Sequence, residues 1–188
     1  IDPKWTSEVQ RLIDSIPIDH PVDIRDKVLV MLLFLTGLEI SRLLELRIDN
    51  FTRDGVLRLK RSQFFSLEIQ IPQEKMSLIL KYIDDARDYF VDPMAADDWR
   101  LFPSKKSDGF CRQAAWKMIV RRSAAVGSEL TPRSIRYASM CILLGKGHSQ
   151  DEICQILDLS RDRIRRVCEA LIRSQEGTTA LEPMLRSA

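Results

Sequence analysis

The segment from Asp23 to Gly37 constrains the fold of this chain more than any other. Its sequence, DIRDKVLVMLLFLTG, predicts a helix that is apolar nearly all round and ends at the glycine. A helix without a polar face must be buried among other elements. Its apolar run, residues 28–35, is far too short to span a membrane. The chain of 188 residues, 45% hydrophobic, is long enough to form one globular core around this helix.

The segments around this helix are also mainly helical. One segment, residues 55–72, instead alternates with a period of two, which predicts two short strands around a basic, aromatic turn. We therefore predict a fold that is mainly α with a small antiparallel β-sheet. The remaining helices are predicted at 5–16, 40–46, 74–90, 111–127, 131–145, 149–157 and 160–172.

Charge is distributed unevenly along the chain. Residues 1–98 hold 13 Lys and Arg against 18 Asp and Glu, a net −5, and residues 99–173 hold 15 against 7, a net +8. Residues 174–188 hold 1 against 2, which gives the total of +2. A basic half on a nearly neutral chain favours a surface that contacts a polyanion such as nucleic acid. A charged face that is only solvated is the alternative.

The stretch HSQDEICQILDLSRDRIRRVCEALI predicts two helices joined by a short turn. Ser149 and Glu152 form a capping box before the first helix, and Ser160 caps the second. The second helix carries four arginines within six positions, which suits a helix that lies along a DNA groove. An exposed arginine-rich helix without a ligand is the alternative. The four are Arg161, Arg163, Arg165 and Arg166.

Several other classes of site find no support in the sequence. The four cysteines are spaced 30, 13 and 14 residues apart without a CxxC pair, and there are two histidines, so neither a metal site nor a cofactor is predicted. The N-terminal residues show no signal-peptide pattern. We expect a cytoplasmic protein, associated with the nucleoid if the host is bacterial, with reduced cysteines and no membrane contact.

Three segments within residues 24–172 carry a recognisable pattern. They are RDKVLVMLLFLTGLEISRLLELR, LFPSKKSDGFCRQAAWKMI and LTPRSIRYASMCILLGKGHSQDEICQILDLS. In their order and spacing they resemble the catalytic domain of tyrosine recombinases of the phage-integrase and Xer type. The resemblance implies a mainly helical domain, with a small sheet after the third helix, that wraps on duplex DNA. We expect no counterpart here of the family's separate N-terminal DNA-clamping domain.

The resemblance also implies a chemistry. In the family, a tyrosine attacks a phosphodiester, forms a 3′-phosphotyrosyl bond and releases a 5′ hydroxyl without metal. Such a reaction needs cations for the non-bridging oxygens, a general acid and a positioned nucleophile. Arg136 keeps the family's residue, Arg133 replaces a histidine, and no tyrosine falls in the C-terminal helix. The family's site positions fall at Glu39, near Ser62, and at Arg133, Arg136, Leu159 and Cys168.

Glu39 falls where the family has a phosphate-binding arginine. A carboxylate about 4 Å from a phosphate charge would cost about 4 kcal/mol at an effective dielectric constant of about 20. Alternatively, the family's Arg-x-x-Glu has been exchanged for Glu39-x-x-Arg42, an i,i+3 pair that keeps local charge balance and loses the phosphate contact. Both interpretations predict loss of strand cleavage. Cys168 falls on the apolar stripe of its helix, where a buried thiol is inert.

Three functions are compatible with these patterns. The first, which we favour, is a recombinase-like domain that has lost catalysis and kept DNA binding. The second is an active, divergent recombinase that uses Cys168 or a tyrosine supplied in trans. The third is a regulator that uses residues 149–172 as a helix-turn-helix, or a scaffold for a protein partner. The first predicts DNA contacts from Lys60, Arg61, Arg133, Arg136, Arg161, Arg163, Arg165 and Arg166.

The domain organisation is predicted as follows. Residues 1–173 form a single integrase-like domain, with 149–172 as its helix-turn-helix-like portion. The tail, residues 174–188, packs in cis or on a neighbouring subunit, and the latter would give a homo-oligomer. Trp116 is interpreted as a core residue. The aromatic pair at 64–65 is interpreted as packing under the sheet, with contact to DNA or a partner as the alternative.

Overall fold

The structure, a computed structural model, describes residues 4–60, 66–94, 98–105, 109–157 and 159–175. The predicted class, mainly α with a small antiparallel sheet, is confirmed. None of the helices in these ranges is long and apolar enough to cross a membrane. The helices are α1 (Lys4–Ser15), α2 (Pro21–Thr36), α3 (Ile40–Leu44), α4 (Gln73–Lys81), α5 (Arg112–Ala125), α6 (Pro132–Gly145), α7 (Gln150–Leu157) and α8 (Arg161–Gln175), and the strands are β1 (Val56–Lys60) and β2 (Ser66–Gln70).

Helix α2 lies at the centre of the molecule, as its apolar sequence predicts. Helices α1, α4, α5 and α6 all pack against it, and its residues from Val28 to Leu33 are buried. The helix begins at Pro21 after the His20 side chain, which accepts a hydrogen bond from the backbone of Val22 at 3.2 Å. It ends at Gly37, whose φ of +58° favours glycine. The last turn of α2 is thereby fixed against its neighbours.

The two strands form an antiparallel hairpin with one face on the core. Leu57 pairs with Ile69 in the register, and Leu57 and Leu59 are buried. On the opposite face Arg58 donates to Glu68 at 3.0 Å in solvent. This alternation follows from the period of two in the sequence. The turn, with the predicted contacts at Arg61, Ser62, Phe64 and Phe65, lies outside the described residues.

The predicted helix at 74–90 is interrupted, because α4 ends at Lys81. The chain then widens into one π turn, in which the backbone N–H of Arg87 donates to the carbonyl of Tyr82, and tightens into a 3₁₀ turn up to Phe90. The wide turn brings Tyr82 and Arg87 into the interior together. There, Arg87 donates to the backbone carbonyls of Arg100, at 2.8 Å, and Asp98. Burial of both side chains explains why the regular helix is broken.

The hydroxyl group of Tyr82 is buried without a hydrogen-bond partner among the residues described. We expect Tyr82→Phe to raise the free energy of unfolding by about 1 kcal/mol, because the folded state no longer desolvates an unpaired hydroxyl. Urea unfolding at pH 7.5 measures this difference.

The same residue predicts a pH dependence. Burial raises the pKa of the Tyr82 phenol above its ordinary value, so the folded state keeps the proton at a pH where the unfolded chain loses it. This contribution to stability is complete below the unfolded pKa of about 10 and is lost as pH rises beyond it. The advantage of Tyr82→Phe over the wild type should therefore grow between pH 7.5 and pH 10.5. A variant less stable than the wild type at both pH values would contradict this account.

Candidate functional site

A large, open cleft lies where four parts of the fold meet. It has a volume of about 750 Å³ and is formed by the α2–α3 turn, the first half of α5, the start of α6 and the start of α8. We call it the basin. Its charged lining consists of five cations and one carboxylate, so its surface favours an anion. These residues are Glu39, Arg112, Lys117, Arg133, Arg136 and Arg163.

The structure brings together four of the six positions that the resemblance singles out. Glu39, Arg133, Arg136 and Leu159 all line the basin, although they come from three separate parts of the chain. Ser62 lies outside the described residues. The sixth position, at the C-terminal helix, lies elsewhere and is treated below.

Glu39 immediately precedes the first residue of α3. It is the N-cap residue, with extended backbone angles (φ −64°, ψ 141°), and its exposed side chain makes no hydrogen bond to the helix end. The residue forms part of the lining of the basin. Arg42, three residues later, lines a separate and smaller groove. Glu39 and Arg42 thus line different clefts.

Arg133 is oriented by the first turns of α6. Thr131 caps this helix by accepting from the backbone N–H of Ser134 at 3.2 Å, and the next residue is proline, which suits a helix start. The Nε of Arg133 donates to the hydroxyl of Tyr137, one turn later, at 3.2 Å. The tyrosine ring also stacks on Trp5, with centroids 6.5 Å apart. This stack therefore supports the position of Arg133.

Arg136 joins three helices at the back of the basin. Its Nε donates to the carbonyl of Gly37 at 2.8 Å, and an Nη donates to the carbonyl of Leu157. The ends of α2 and α7 are thereby tied to α6. Space at this junction is small, because a Cβ atom built on Gly37 would collide with the Leu157 side chain. The guanidinium charge of Arg136 is consequently held in one place by backbone groups.

The four arginines of α8 do not share one environment. Arg163 lines the basin, whereas Arg161 pairs with Asp151 at 2.7 Å. Arg165 pairs with Asp162 at 3.1 Å, and Arg166 is exposed. Exposed ion pairs of this kind contribute about 0 to 1 kcal/mol, so they hold the arginines only weakly. The structure thus joins one of these four side chains to the basin.

Cys168 does not line the basin. It is half-buried and packs against a second apolar cluster, between α6, α7 and α8, that includes Met140, Cys141 and Ile164. Burial raises the pKa of the Cys168 thiol. The pKa of Cys141 is raised to about 12, mainly by burial and in addition by the neighbouring Cys168. Both groups are therefore neutral thiols near pH 7, which are poor nucleophiles. In the part of the chain described, no three His, Cys, Asp or Glu side chains are placed to hold a metal ion.

Helix α5 supplies basin residues that sequence reasoning missed. Arg112, Gln113, Trp116 and Lys117 all line the cleft. The interpretation of Trp116 as a core residue is wrong, because 48% of its surface is exposed. The spacing of polar and apolar residues in α5 could have indicated which of its faces is exposed. These four residues lie one turn apart in pairs, and the inner face is filled by Ala115, Met118 and Ile119.

Known proteins match this chain over most of its length. The phage integrase family matches residues 6–167. The tyrosine recombinase XerD of Yersinia pestis is 32% identical over 171 residues, which are 86% of this chain and 56% of that protein. XerD of Shewanella oneidensis is 32% identical over 146 residues, 75% of this chain and 47% of that protein. The chain spans about half the length of these curated relatives.

Solved structures show the same fold. The XerH site-specific recombinase, in a pre-cleavage complex with its difH substrate, superposes with a TM-score of 0.72 at 17% identity, covering 100% of this chain and 52% of that chain. The XerA recombinase gives a TM-score of 0.69 at 21% identity, covering 92% of this chain and 62% of that one. The resemblance drawn from the three sequence segments is confirmed. This protein belongs to the phage integrase family, and its fold is that of a tyrosine recombinase catalytic domain.

Proposed function

We propose that this chain binds duplex DNA in the basin and does not cleave it by the tyrosine mechanism of its family. The observation that carries the proposal is the composition of the basin, in which cations are kept while an acid, Glu39, stands at the position of a family arginine. The relatives are named as tyrosine recombinases, and the XerH structure is described as bound to its difH substrate. DNA is therefore the polyanion that we assign to this chain.

The binding half of the proposal rests on charge and position. The cations of the basin come from α5, α6 and α8, so they surround the cleft on several sides. Guanidinium groups form strong, charge-assisted hydrogen bonds to phosphate oxygens. Arg133 and Arg136 are also held in fixed orientations by Tyr137 and by backbone carbonyls. A prearranged cation loses less side-chain entropy on binding, which favours a phosphate here.

The loss of cleavage rests on the missing nucleophile. Cys168, at the family's nucleophile position, packs in an apolar cluster outside the basin. Tyr82 is buried in the main core, and Tyr89 is not part of the basin lining. Tyr137 does line the basin, but it belongs to α6, is mostly buried and accepts a hydrogen bond from Arg133. In addition, Glu39 repels the phosphate that a nucleophile would attack.

The binding proposal predicts a steep dependence on salt. Fluorescence anisotropy with a labelled 30-bp duplex should show that affinity falls as salt rises, by about 0.9 in log–log slope for each phosphate contact. Arg133→Gln should lower the affinity about tenfold at low salt, which corresponds to about 1.4 kcal/mol, and reduce the slope by about one contact. The matched control is Arg121→Gln, an exposed arginine of α5 that does not line the basin. A slope near zero, or equal losses for Arg121→Gln and Arg133→Gln, would contradict the proposal.

The cleavage proposal is tested with a nicked suicide duplex, which traps a covalent protein–DNA adduct. We expect no adduct that survives denaturing electrophoresis. An adduct that disappears in Cys168→Ser would identify the thiol as a nucleophile, and one that disappears in Tyr137→Phe would identify the basin tyrosine. An adduct that persists in both variants would indicate another nucleophile, including a tyrosine supplied in trans. Any of these three results would overturn the loss of cleavage.

The helix-turn-helix alternative makes the opposite prediction for the same assay. If residues 149–172 alone bound DNA, Arg133→Gln would leave the affinity unchanged and Arg165→Gln with Arg166→Gln would remove it. DNA contacts are also predicted from Lys60 and Arg61 of the hairpin. These two side chains and the tail after residue 175 lie outside the part of the chain that the structure describes. Their roles, including a homo-oligomer formed through the tail, stay predictions, as does the single domain over residues 1–173.

A further inference from the structure

A second, smaller cleft adjoins the basin. It has a volume of about 230 Å³, and Leu38 lines both clefts. We call it the α3–β1 groove. Its charged lining consists of three cations and one acid, namely Arg42, Arg47, Arg58 and Glu45. Like the basin, it therefore carries a surplus of positive charge on an open surface.

The three arginines reach this groove from three different pieces of backbone. Arg42 lies in the last turn of α3. Arg47 has an extended backbone and is bridged to Arg100 in the manner of a short strand pair. Arg58 is the middle residue of β1, on the face opposite the buried Leu57 and Leu59. The three arginines are thus brought together by the fold, since they do not lie next to each other on one helix.

The ion pairs that Arg47 and Arg58 make do not compete strongly with a phosphate. Arg58 pairs with Glu68 at 3.0 Å and Arg47 pairs with Asp49 at 3.4 Å, and more than half of each side chain is exposed. Ion pairs in such exposed positions contribute little. A guanidinium group can form two parallel hydrogen bonds to phosphate oxygens, which are stronger. Both side chains can therefore transfer to a phosphate that enters the groove.

Arg42 brings to the groove a positive charge that the family pattern does not have at this position. On α3 the acid Glu39 faces the basin and Arg42 faces the groove, whereas the resemblance places an arginine and then a glutamate at these two positions. Compared with the family pattern, the arginine therefore lies in the groove and the acid lies in the basin. We propose that the α3–β1 groove is a second phosphate-binding site, which holds the DNA backbone next to the basin. This inference rests on the proposed function.

The two clefts lie side by side, because Leu38 lines both of them. Phosphates of one strand follow each other every 3.4 Å or so along the duplex axis. We therefore expect a strand with one phosphate at Arg133 in the basin to place another of its phosphates in the adjoining groove, at Arg42. The attraction of the groove for that second phosphate would offset part of the repulsion that Glu39 exerts in the basin. Affinity is expected to be shared between the two clefts.

The test compares the salt dependence of single variants in the full chain. Arg42→Gln, Arg47→Gln and Arg58→Gln should each lower the slope of log affinity against log salt by about 0.9 and weaken binding to a random 30-bp duplex about three- to tenfold at low salt. Arg42→Glu, which restores an acid, should weaken binding more than Arg42→Gln. The matched control is Arg53→Gln, an exposed arginine in the turn before β1 that lines neither cleft. It should leave both quantities unchanged.

The outcomes separate this inference from the proposed function. If the wild type binds DNA, and Arg133→Gln lowers the slope while the three groove variants behave like Arg53→Gln, the groove is not a phosphate site and the basin stands. If the wild type shows no salt-dependent binding, both are overturned. Circular dichroism and thermal unfolding check that each variant is folded. Should Arg42→Gln fail to fold, the exposed Arg47 and Arg58 decide the question alone.

Discussion

Replacing Asp26 by alanine is expected to lower the free energy of unfolding by about 3 to 5 kcal/mol. This carboxylate is completely buried in α2. It accepts hydrogen bonds from Arg122 of α5, at 2.8 and 3.1 Å, and from the adjacent Arg25, at 2.7 and 3.1 Å. Its removal would leave two mostly buried guanidinium groups without this counter-charge, which is the costly way to break a buried ion pair.

The rest of the cluster increases the expected loss. The guanidinium group of Arg25 lies between the rings of Phe90 and Phe110, at 4.6 and 4.2 Å from their centroids. It is therefore confined and cannot move out to water without disturbing the packing of both rings. The cluster links α2 to α5, the helix that carries one wall of the basin, so the same variant should also weaken DNA binding.

Urea unfolding measures this prediction, because urea does not screen charges. The matched variant is Asp23→Ala, which removes the other carboxylate bound to Arg122 but is partly exposed. We expect a smaller loss there, of about 1 kcal/mol. In the double variant Asp26→Ala, Arg122→Ala the losses should be less than additive, because the second change removes one of the unpaired charges. Equal and small losses for Asp23→Ala and Asp26→Ala would show that the cluster does not stabilise the fold.

Replacing Glu39 by glutamine is expected to strengthen DNA binding about tenfold or more at low salt, since two unit charges 4 Å apart interact by about 4 kcal/mol at an effective dielectric constant of about 20. The full value is an upper bound, because Glu39 is exposed and salt screens it. Glutamine keeps the size of the side chain and removes its charge. Anisotropy titrations at several salt concentrations measure the gain, which should shrink as salt rises.

Two further variants define the result. Glu74→Gln changes an exposed acid in the first turn of α4 that lines neither cleft, and it should leave the affinity unchanged. The exchange Glu39→Arg with Arg42→Glu restores the order of charges that the family pattern has. It should strengthen the basin and weaken the groove at the same time. If Glu39→Gln binds no more tightly than Glu74→Gln, the carboxylate does not face a phosphate and the proposed function loses its main support.

Local patterns in the sequence were sufficient for much of the fold. The apolar run before Gly37 predicts the buried helix α2, and the alternation around Leu57 and Ile69 predicts the hairpin. The capping residues Thr131 and Ser149 predict the starts of α6 and α7. Each of these signals is contained within one turn or one strand. The order of three such segments also identified the family.

Contacts between distant segments decided the rest. The sequence did not show that α5 and its Trp116 line the basin, because this depends on which neighbouring helix covers which face. It placed Cys168 on an apolar stripe, but the packed fold was needed to show that this stripe joins a cluster outside the basin. The π turn after Lys81 likewise follows from the joint burial of Tyr82 and Arg87.

The sequence by itself therefore determined most of the helices, the two strands, the family and the exchange of charge between Glu39 and Arg42. The tertiary structure alone placed these two side chains in neighbouring clefts and fixed Arg136 on the carbonyls of Gly37 and Leu157. The physical reason is range. Periodicity and capping act over a few residues, whereas a cleft is formed by side chains from elements that meet only when the core has packed.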